Sequence, residues 1–510
     1  MITRNTNLDA WRNPERDVRI QVESWHPIQE VAGQFIEHPR SAVLLFNYLR
    51  RVGVRAVWHK LRSRLKETVR NQKVAAIGSG WVMEAPSDVP LRPGDPVVFF
   101  APNHPRTPHH ICLDALFVVP FPDIKDTSAS VAAFSAAIPH NLLQYIGWSP
   151  FSGLSLNEAA IAESLRTLAH QYALKPPRPD AFVKEQPRES YEFASSTNNL
   201  DAKPSVVLFG LGNYAKTQIL PNIRQYLSLR RVHEVDPDQL RFFGDSPRLS
   251  LDTSPLPRDG ARFDAWFIAG YHHTHADLAT SALRQGAYAV IEKPLATTRA
   301  QYETLLEAIS RDGPSRFFAC FHKRYSELHR WAMQDLDKAP AEPVDMHCVV
   351  YEIPLPPLHW YNWPNSGSRL ISNGCHWIDY FMFVNDYSKV ADCQVWCPRG
   401  SDVCVQVRLE NSAYFVMSLT DTGSQRLGVR DHIELRKGNV TVKMVDASAY
   451  ESENRTRILR RKTVNPMNAY ARMYRTISKT IAAKGPGDSL ASLRSTELTL
   501  LMEEDARACS

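Results

Sequence analysis

One short apolar run that ends in closely spaced glycines constrains this chain more than any other feature of its 510 residues. Ser205-Val-Val-Leu-Phe reads as a buried strand, and Gly210-Leu-Gly212-Asn213-Tyr214-Ala215 follows it without a break. In a G-x-G-x-x-A turn between strand and helix, Gly210 allows the tight turn and Gly212 lets the backbone approach a pyrophosphate. Ala215 is small enough for the helix to pack close against the strand. Free N–H groups at the helix start favour anions, so Gly210, Gly212, Asn213, Tyr214 and Ala215 point to dinucleotide binding. The helix is expected to run to about Arg230 and the next strand over residues 231–236, ending in Asp236. A carboxylate there hydrogen-bonds ribose hydroxyls and repels a 2′-phosphate, which tilts the reading to NAD over NADP. Arg230 and Arg231 could serve a phosphate instead.

The same alternation continues downstream. Phe263 to Ala269 is a strand, and Gly270-Tyr271-His272-His273-Thr274-His275 turns into a helix that ends at Gln285-Gly286. A further strand, Ala287 to Ile291, delivers Glu292-Lys293-Pro294. Strands alternating with helices predict a parallel sheet. After about Val344 the pattern is mostly strands, with a last helical region from Asn468.

The first part of the chain reads differently. Residues 41–69 have helical periodicity, and apolar runs at Val74, Pro96 and Ile111 are bounded by Gly and Pro, which suggests a β-rich unit. Residues 175–203 are polar, proline-containing and aperiodic, as a linker would be. The expected division is therefore 1–174 β-rich, 175–203 linker, 204–325 nucleotide-binding and 326–510 an α/β domain for substrate and oligomerisation.

Composition excludes several function classes. A net charge of +6 is small for this length, which argues against nucleic-acid binding. No run of about 18 apolar residues predicts a membrane span, and the N-terminus lacks the apolar core of a secretion signal. The eight cysteines show no C-x-x-C or zinc-ligand spacing, which fits reduced thiols in a cytoplasmic protein and no metal.

Five motifs in one order carry a resemblance: G-x-G-x-x-A, Thr274-His275-Ala276, Glu292-Lys293-Pro294, Phe321-His-Lys-Arg-Tyr325 and Asn373-Gly-Cys-His376-Trp-Ile-Asp379. Together they resemble the Gfo/Idh/MocA oxidoreductases over residues 204–510. The resemblance implies a Rossmann domain followed by an α/β domain with an open, mostly antiparallel sheet. It extends to a two-part subset in which an alcohol-dehydrogenase-like (GroES-like) unit stands first, here as a remnant. One face of such an open sheet needs cover, which predicts a homodimer or homotetramer.

The implied activity is hydride transfer between NAD or NADP and a hydroxyl- or imine-bearing carbon of a sugar-like or biosynthetic small molecule. A redox-neutral lyase or epimerase with tightly bound NAD, and a non-catalytic partner protein, remain open alternatives. Lys293 maps onto the family lysine that serves as acid/base, with a pKa expected to fall towards neutrality. His376 maps onto the family histidine. The carboxylate that often stands four residues before it is Ser372 here, so His376 is expected to stay neutral and hydrogen-bond substrate. Gly270, Tyr271, His272, His275, Glu292 and Pro294 fall on the cofactor side, and the histidines read as capping and pocket residues rather than metal ligands. Lys323, Arg324, His359, Trp360, Tyr361, Arg369, Asn373 and Asp379 are the substrate-side candidates. The aromatic residues among them suit sugar faces, and the arginines suit a carboxylate or phosphate.

Overall fold

The computed structural model describes residues 17–30, 73–87, 89, 91–105, 110–115, 118–120, 203–234, 237–240, 242–243, 249–252, 256–257, 260–352, 361, 366–398, 402–422 and 429–508. Its first strands are β1 (Asp17–Glu30), β2 (Lys73–Glu84), β3 (Pro96–Pro105), β4 (His110–Asp114) and β5 (Val118–Pro120). They form a five-stranded sheet, ordered β4-β1-β2-β3-β5, with every pairing antiparallel. Gly94 makes the turn into β3 with φ +93° and its N–H on the Val82 carbonyl, a conformation that L side chains resist. The helix expected over 41–69 and the linker, apart from Lys203, lie outside the described residues.

The glycine-loop strand, β6 (Ser205–Phe209), sits inside a six-stranded sheet with β7 (Ser228–His233), β8 (Ser250–Asp252), β9 (Ala265–Ile268), β10 (Tyr288–Ile291) and β11 (Phe317–Ala319). Its order is β11-β10-β9-β6-β7-β8, and all pairings are parallel. The connecting helices are α1 (Leu220–Ile223), α2 (Pro237–Leu240), α3 (His275–Arg284) and α4 (Arg299–Asp312). A π-type stretch, Ala215–Ile219, leads into α1. Two boundaries differ from the sequence expectation: the first helix stops at Ile223, and β7 begins at Ser228 rather than near 231. Pairing with β6 is the reason. Ser228 N–H bonds the Pro204 carbonyl at 2.9 Å and Ser228 lies opposite Ser205, so the chain enters the ladder early.

Past α5 (Glu327–Leu336), the third sheet holds β12 (Asp345–Tyr351), β13 (Val390–Trp396), β14 (Val403–Leu409), β15 (Tyr414–Thr420), β16 (Arg430–Lys437), β17 (Val440–Val445), β18 (Ala449–Asn454) and β19 (Ile458–Thr463). Only the β12–β15 pair is parallel in this eight-stranded sheet. Alternate residues along β14 and β15 are buried, so one face meets a core. α5 and α6 (Cys375–Val384) supply that core through Leu328, Ala332, Trp377, Ile378 and Phe381.

The last two helices tie the sheets together. α7 (Met467–Ala482) buries Met473, Tyr474, Ile477 and Ile481 against Val206, Leu208 and Val290 of the parallel sheet. α8 (Arg494–Ala508) places Leu498 and Met502 in the core of the large sheet, and Leu500 in that of the parallel one.

A buried carboxylate locks α5 onto the large sheet. Asp335 is 0% exposed and accepts from Tyr450 (2.9 Å), Ser452 (2.7 Å), Lys338 (2.8 Å) and Arg460 (2.9 Å). Burial opposes its charge, but the hydrogen bonds from Arg460, Lys338, Ser452 and Tyr450 outweigh burial and hold its pKa below the usual carboxylate range. A depressed pKa stabilises the fold above the ordinary carboxylate pKa, and the contribution fades as pH falls below that value. Asp335→Asn should lower stability by about 3 kcal/mol at neutral pH. In urea denaturation the gap from wild type should narrow at acidic pH.

Candidate active site

Parallel strands bring their C-terminal ends to one edge of a sheet, and the loops that leave that edge form the crevice of such folds. Here β6 delivers the glycine loop, β7 Glu234, β9 Gly270, β10 Glu292-Lys293-Pro294 and β11 the His322–Tyr325 turn. Gly210 has φ +90°, and a Cβ on it would lie 2.4 Å from the Ala269 carbonyl oxygen. Only glycine fits there. A Cβ on Gly212, by contrast, would meet nothing within 4 Å, so its backbone faces open space as a pyrophosphate cradle requires. Asn213 is exposed beside it.

The acid at the end of β7 is Glu234. Its Oε2 accepts the Leu211 N–H at 2.6 Å, so the carboxylate braces the glycine loop where a ribose would lie. Asp236, the acid chosen from the sequence, lies outside the described residues. Glu234 was legible as a second acid in the same run, and it directly follows β7.

The Glu292-Lys293-Pro294 turn is fixed from three sides. Glu292 is buried, and its Oε1 accepts from Tyr214 at 3.1 Å and from the Tyr474 hydroxyl of α7. Tyr214 therefore points inward to Glu292 instead of flanking the loop's open face. The Lys293–Pro294 peptide is cis. The Pro294 carbonyl meets His275 Nδ1 at 2.8 Å, while His275 Nε2 lies 3.2 Å from the Gly270 carbonyl. Burial lowers the His275 pKa to about 4, and the neutral imidazole, with one N–H, donates to one of these two carbonyls while it packs against the other. Tyr271 stacks on His273, with ring centroids 6.1 Å apart.

Lys293 donates to the Ser372 carbonyl at 2.8 Å, within the π turn Leu370–Gly374 that opens α6. The Tyr361 ring centroid lies 5.9 Å from its ammonium. Burial pushes the Lys293 pKa down, but the fields of Tyr361, Cys375, Glu292 and Glu352 together carry it above the ordinary lysine value. The direction is opposite to the fall expected from the sequence, because buried anions and potential anions outnumber cations around it.

His376 sits in the first turn of α6, and burial holds it neutral, well below the usual histidine range. Its ring centroid is 4.7 Å from that of His322, which stacks on Tyr470 at 4.1 Å. His322 is likewise held neutral by burial, and the Nδ1 atoms of both histidines are buried without a partner. Sequence reasoning passed over His322, although it stands where the related motif G-F-N-R-R-F has asparagine. A titratable ring in that position was the available signal.

Three substrate-side candidates are already committed to protein partners. Lys323 Nζ lies 2.5 Å from Asp431, with Trp377 Nε1 on the same oxygen at 3.0 Å. Arg324 bonds Asp379 through two nitrogens and Asp488 at 3.1 Å through a third, and Ser495 also donates to Asp379. Unpaired charges at this depth would be costly, so the pairs of Lys323, Arg324 and Asp379 hold elements together, and Lys323 also faces a cavity. Tyr361, Arg369 and Asn373 do gather near Lys293. Arg369 reaches Asp421 at 2.5 Å and lies 3.4 Å from Glu352, whose other oxygen accepts from Asn373. His359 and Trp360 lie outside the described residues. A cavity of about 30 Å³ is lined by His322, Lys323, Glu327, Asp431, Asn465 and Asn468, but by neither His376 nor Lys293. Among the described residues, no group of three or more His, Cys, Asp or Glu side chains is placed to hold a metal.

Comparison with known proteins agrees with this geometry. Residues 205–317 match the GFO_IDH_MocA model, described as an oxidoreductase family with an NAD-binding Rossmann fold. This segment carries a Rossmann-type fold with a parallel sheet. Inositol 2-dehydrogenase of Salmonella typhimurium is 27% identical over 144 residues, 28% of this chain and 40% of that enzyme. The chain thus spans about 40% of the length of the curated relatives it matches. A dehydrogenase from Chromobacterium violaceum is similar in structure at TM-score 0.50 and 17% identity, over 61% of this chain and 96% of that one. An oxidoreductase from Agrobacterium radiobacter, solved with NAD+, L-tartaric acid and magnesium, reaches TM-score 0.51 at 14% identity, over 60% and 96%. At such identities the likeness is one of fold.

The ion-pair assignment makes a direct prediction. Arg324→Met strands Asp379 and Asp488 and should lower unfolding stability by about 3–5 kcal/mol in urea titration. The nucleotide Kd, measured calorimetrically below the unfolding transition, should stay unchanged.

Proposed function

We propose that the chain is an NAD(P)-dependent oxidoreductase that transfers a hydride to or from a hydroxyl- or imine-bearing carbon of a sugar-like small molecule. The observation that carries the reading is the placement of Lys293 on the parallel sheet. It leaves β10, which lies beside β9, which lies beside the glycine-loop strand β6. Two strand spacings are about 10 Å, a span a dinucleotide bridges between pyrophosphate and nicotinamide. When bound, the nicotinamide would supply or accept the hydride. The chain's part is to hold the pyrophosphate over Gly212, keep the ribose by Glu234 and present the Lys293 proton to the substrate heteroatom. The neutral His376 and His322 then offer hydrogen bonds without adding charge.

The substrate class follows from the cluster around Lys293, in which Tyr361, Asn373, Arg369 and Glu352 suit a polyhydroxylated molecule, and from the likeness to inositol 2-dehydrogenase. NAD is favoured over NADP because Glu234 would repel a 2′-phosphate. The N-terminal sheet is read as a remnant of an alcohol-dehydrogenase-like unit, on the strength of its antiparallel order and its Gly94-Asp95 turn. The large sheet is read as a homodimer or homotetramer surface. Thiols at all seven described cysteines fit a cytoplasmic setting.

The test is turnover with a panel of polyols and their keto forms, followed by NAD(P)H absorbance. Lys293→Met should lower kcat by about 10²–10⁴ while the nucleotide Kd stays within error. A fully active Lys293→Met enzyme would overturn the assignment. Substrate conversion without net NAD(P)H change would move it to the redox-neutral class.

A further inference from the structure

The helix that carries His376 has Ser372 where its relatives' pattern leads one to look for a carboxylate, and the structure brings an acid to the same place from elsewhere. Glu352 follows β12, and its N–H is anchored on the Thr420 carbonyl at 2.8 Å. Its side chain is 8% exposed. Asn373 donates to one oxygen, and Arg369 Nε lies 3.4 Å from the other. Asn373 is the residue after Ser372, whose carbonyl accepts the Lys293 ammonium. The acid is therefore fastened one residue away from the group that holds the lysine.

We propose that Glu352 is the positioning carboxylate of this site, and that it keeps Lys293 in the ammonium form so that the lysine acts as a proton donor. The proposal deepens the oxidoreductase reading and rests on it for the word donor. In a reduction, a bound reduced nicotinamide would supply the hydride to the carbonyl carbon, and Lys293 would give the carbonyl oxygen the proton from Nζ. Lys293 is left as a neutral amine, which water reprotonates. Burial pushes the Glu352 pKa up and Asn373 and Arg369 oppose it; in the charged form that they favour, Glu352 supports the ammonium before that step and after it.

Other groups face Lys293 as well. Glu292 lies next to it in the chain, Tyr361 and Cys375 approach from the loop and from α6, and all three favour the ammonium. The imidazoles of His272, His275, His322 and His376 also surround it, but burial keeps each of them neutral, so they neither repel nor hold the ammonium. Glu292 already accepts from two tyrosines, Tyr214 and Tyr474. Glu352 is the carboxylate whose partners lie on the segment that grips the lysine.

The experiment is competitive acetylation of the nucleotide-free full-length protein with trace acetic anhydride across the alkaline range. The Lys293 peptide is read by mass spectrometry, which reports the free-amine fraction without turnover. Glu352→Gln should move the labelling midpoint of Lys293 to lower pH and raise its rate several-fold at a fixed pH below that midpoint. Glu352→Asp should stay near wild type, and Glu307→Gln, on the exposed face of α4, should leave the curve in place. Should Glu352→Gln fail to fold, Asn373→Ala loosens the acid and should shift the midpoint the same way by less. Superimposable wild-type and variant curves would overturn the role of Glu352 and leave the oxidoreductase reading intact. Absence of nucleotide binding would do the reverse.

Discussion

The arrangement of the site depends on one buried carboxylate, Glu292. It stands at the end of β10 with two tyrosine hydroxyls on it, Tyr214 from the glycine-loop helix and Tyr474 from α7. A carboxyl group out of water is expensive unless its lone pairs are occupied, so this hydrogen-bond set fixes three elements at once. Tyr214 and Tyr474 also bond one another at 3.1 Å. Because α7 comes from the far end of the chain, this edge of the sheet is completed by a segment 182 residues beyond Glu292. His275, a neutral ring between the Pro294 and Gly270 carbonyls, donates its one N–H to one of them beside the neighbouring strand. The glycine loop, the lysine turn and the C-terminal helix therefore form one rigid edge.

Electrostatics then separates the basic residues at that edge. Lys323 and Arg324 are matched by Asp431, Asp379 and Asp488 at ion-pair distance, and each pair joins different elements. The hydrogen bond of Lys293 goes instead to a neutral carbonyl in a π turn, a local irregularity common at functional sites. An ammonium with two remaining N–H donors, beside neutral imidazoles and an aromatic ring, is placed to hydrogen-bond a substrate heteroatom. Its neighbours in the sequence motif are suited to hold the fold.

Much of this was legible before the structure. Gly210, Gly212, Ala215 and Lys293 could be placed because strand–turn–helix periodicity fixes backbone geometry locally. Glu352 could not, since its link to Asn373 spans 21 residues and follows no period. The ion pairs of Lys323, Arg324 and Asp379 were hidden for the same reason: their partners lie 55 to 164 residues away. His322 was visible but overshadowed by the charged residues that follow it. The end of β7 at His233 is set by hydrogen-bond register with β6, which composition does not show.

The central claim is that the open space over Gly212 receives a dinucleotide, and fluorescence titration of NADH on wild type and Gly212→Val tests it most directly. No protein atom lies within 4 Å of a Cβ at that position, so valine leaves the fold's contacts intact while filling the cradle. Wild type should show saturable NADH binding, and the variant should remain folded by circular dichroism while losing it. Equal binding by both proteins, or none by either, would contradict the account.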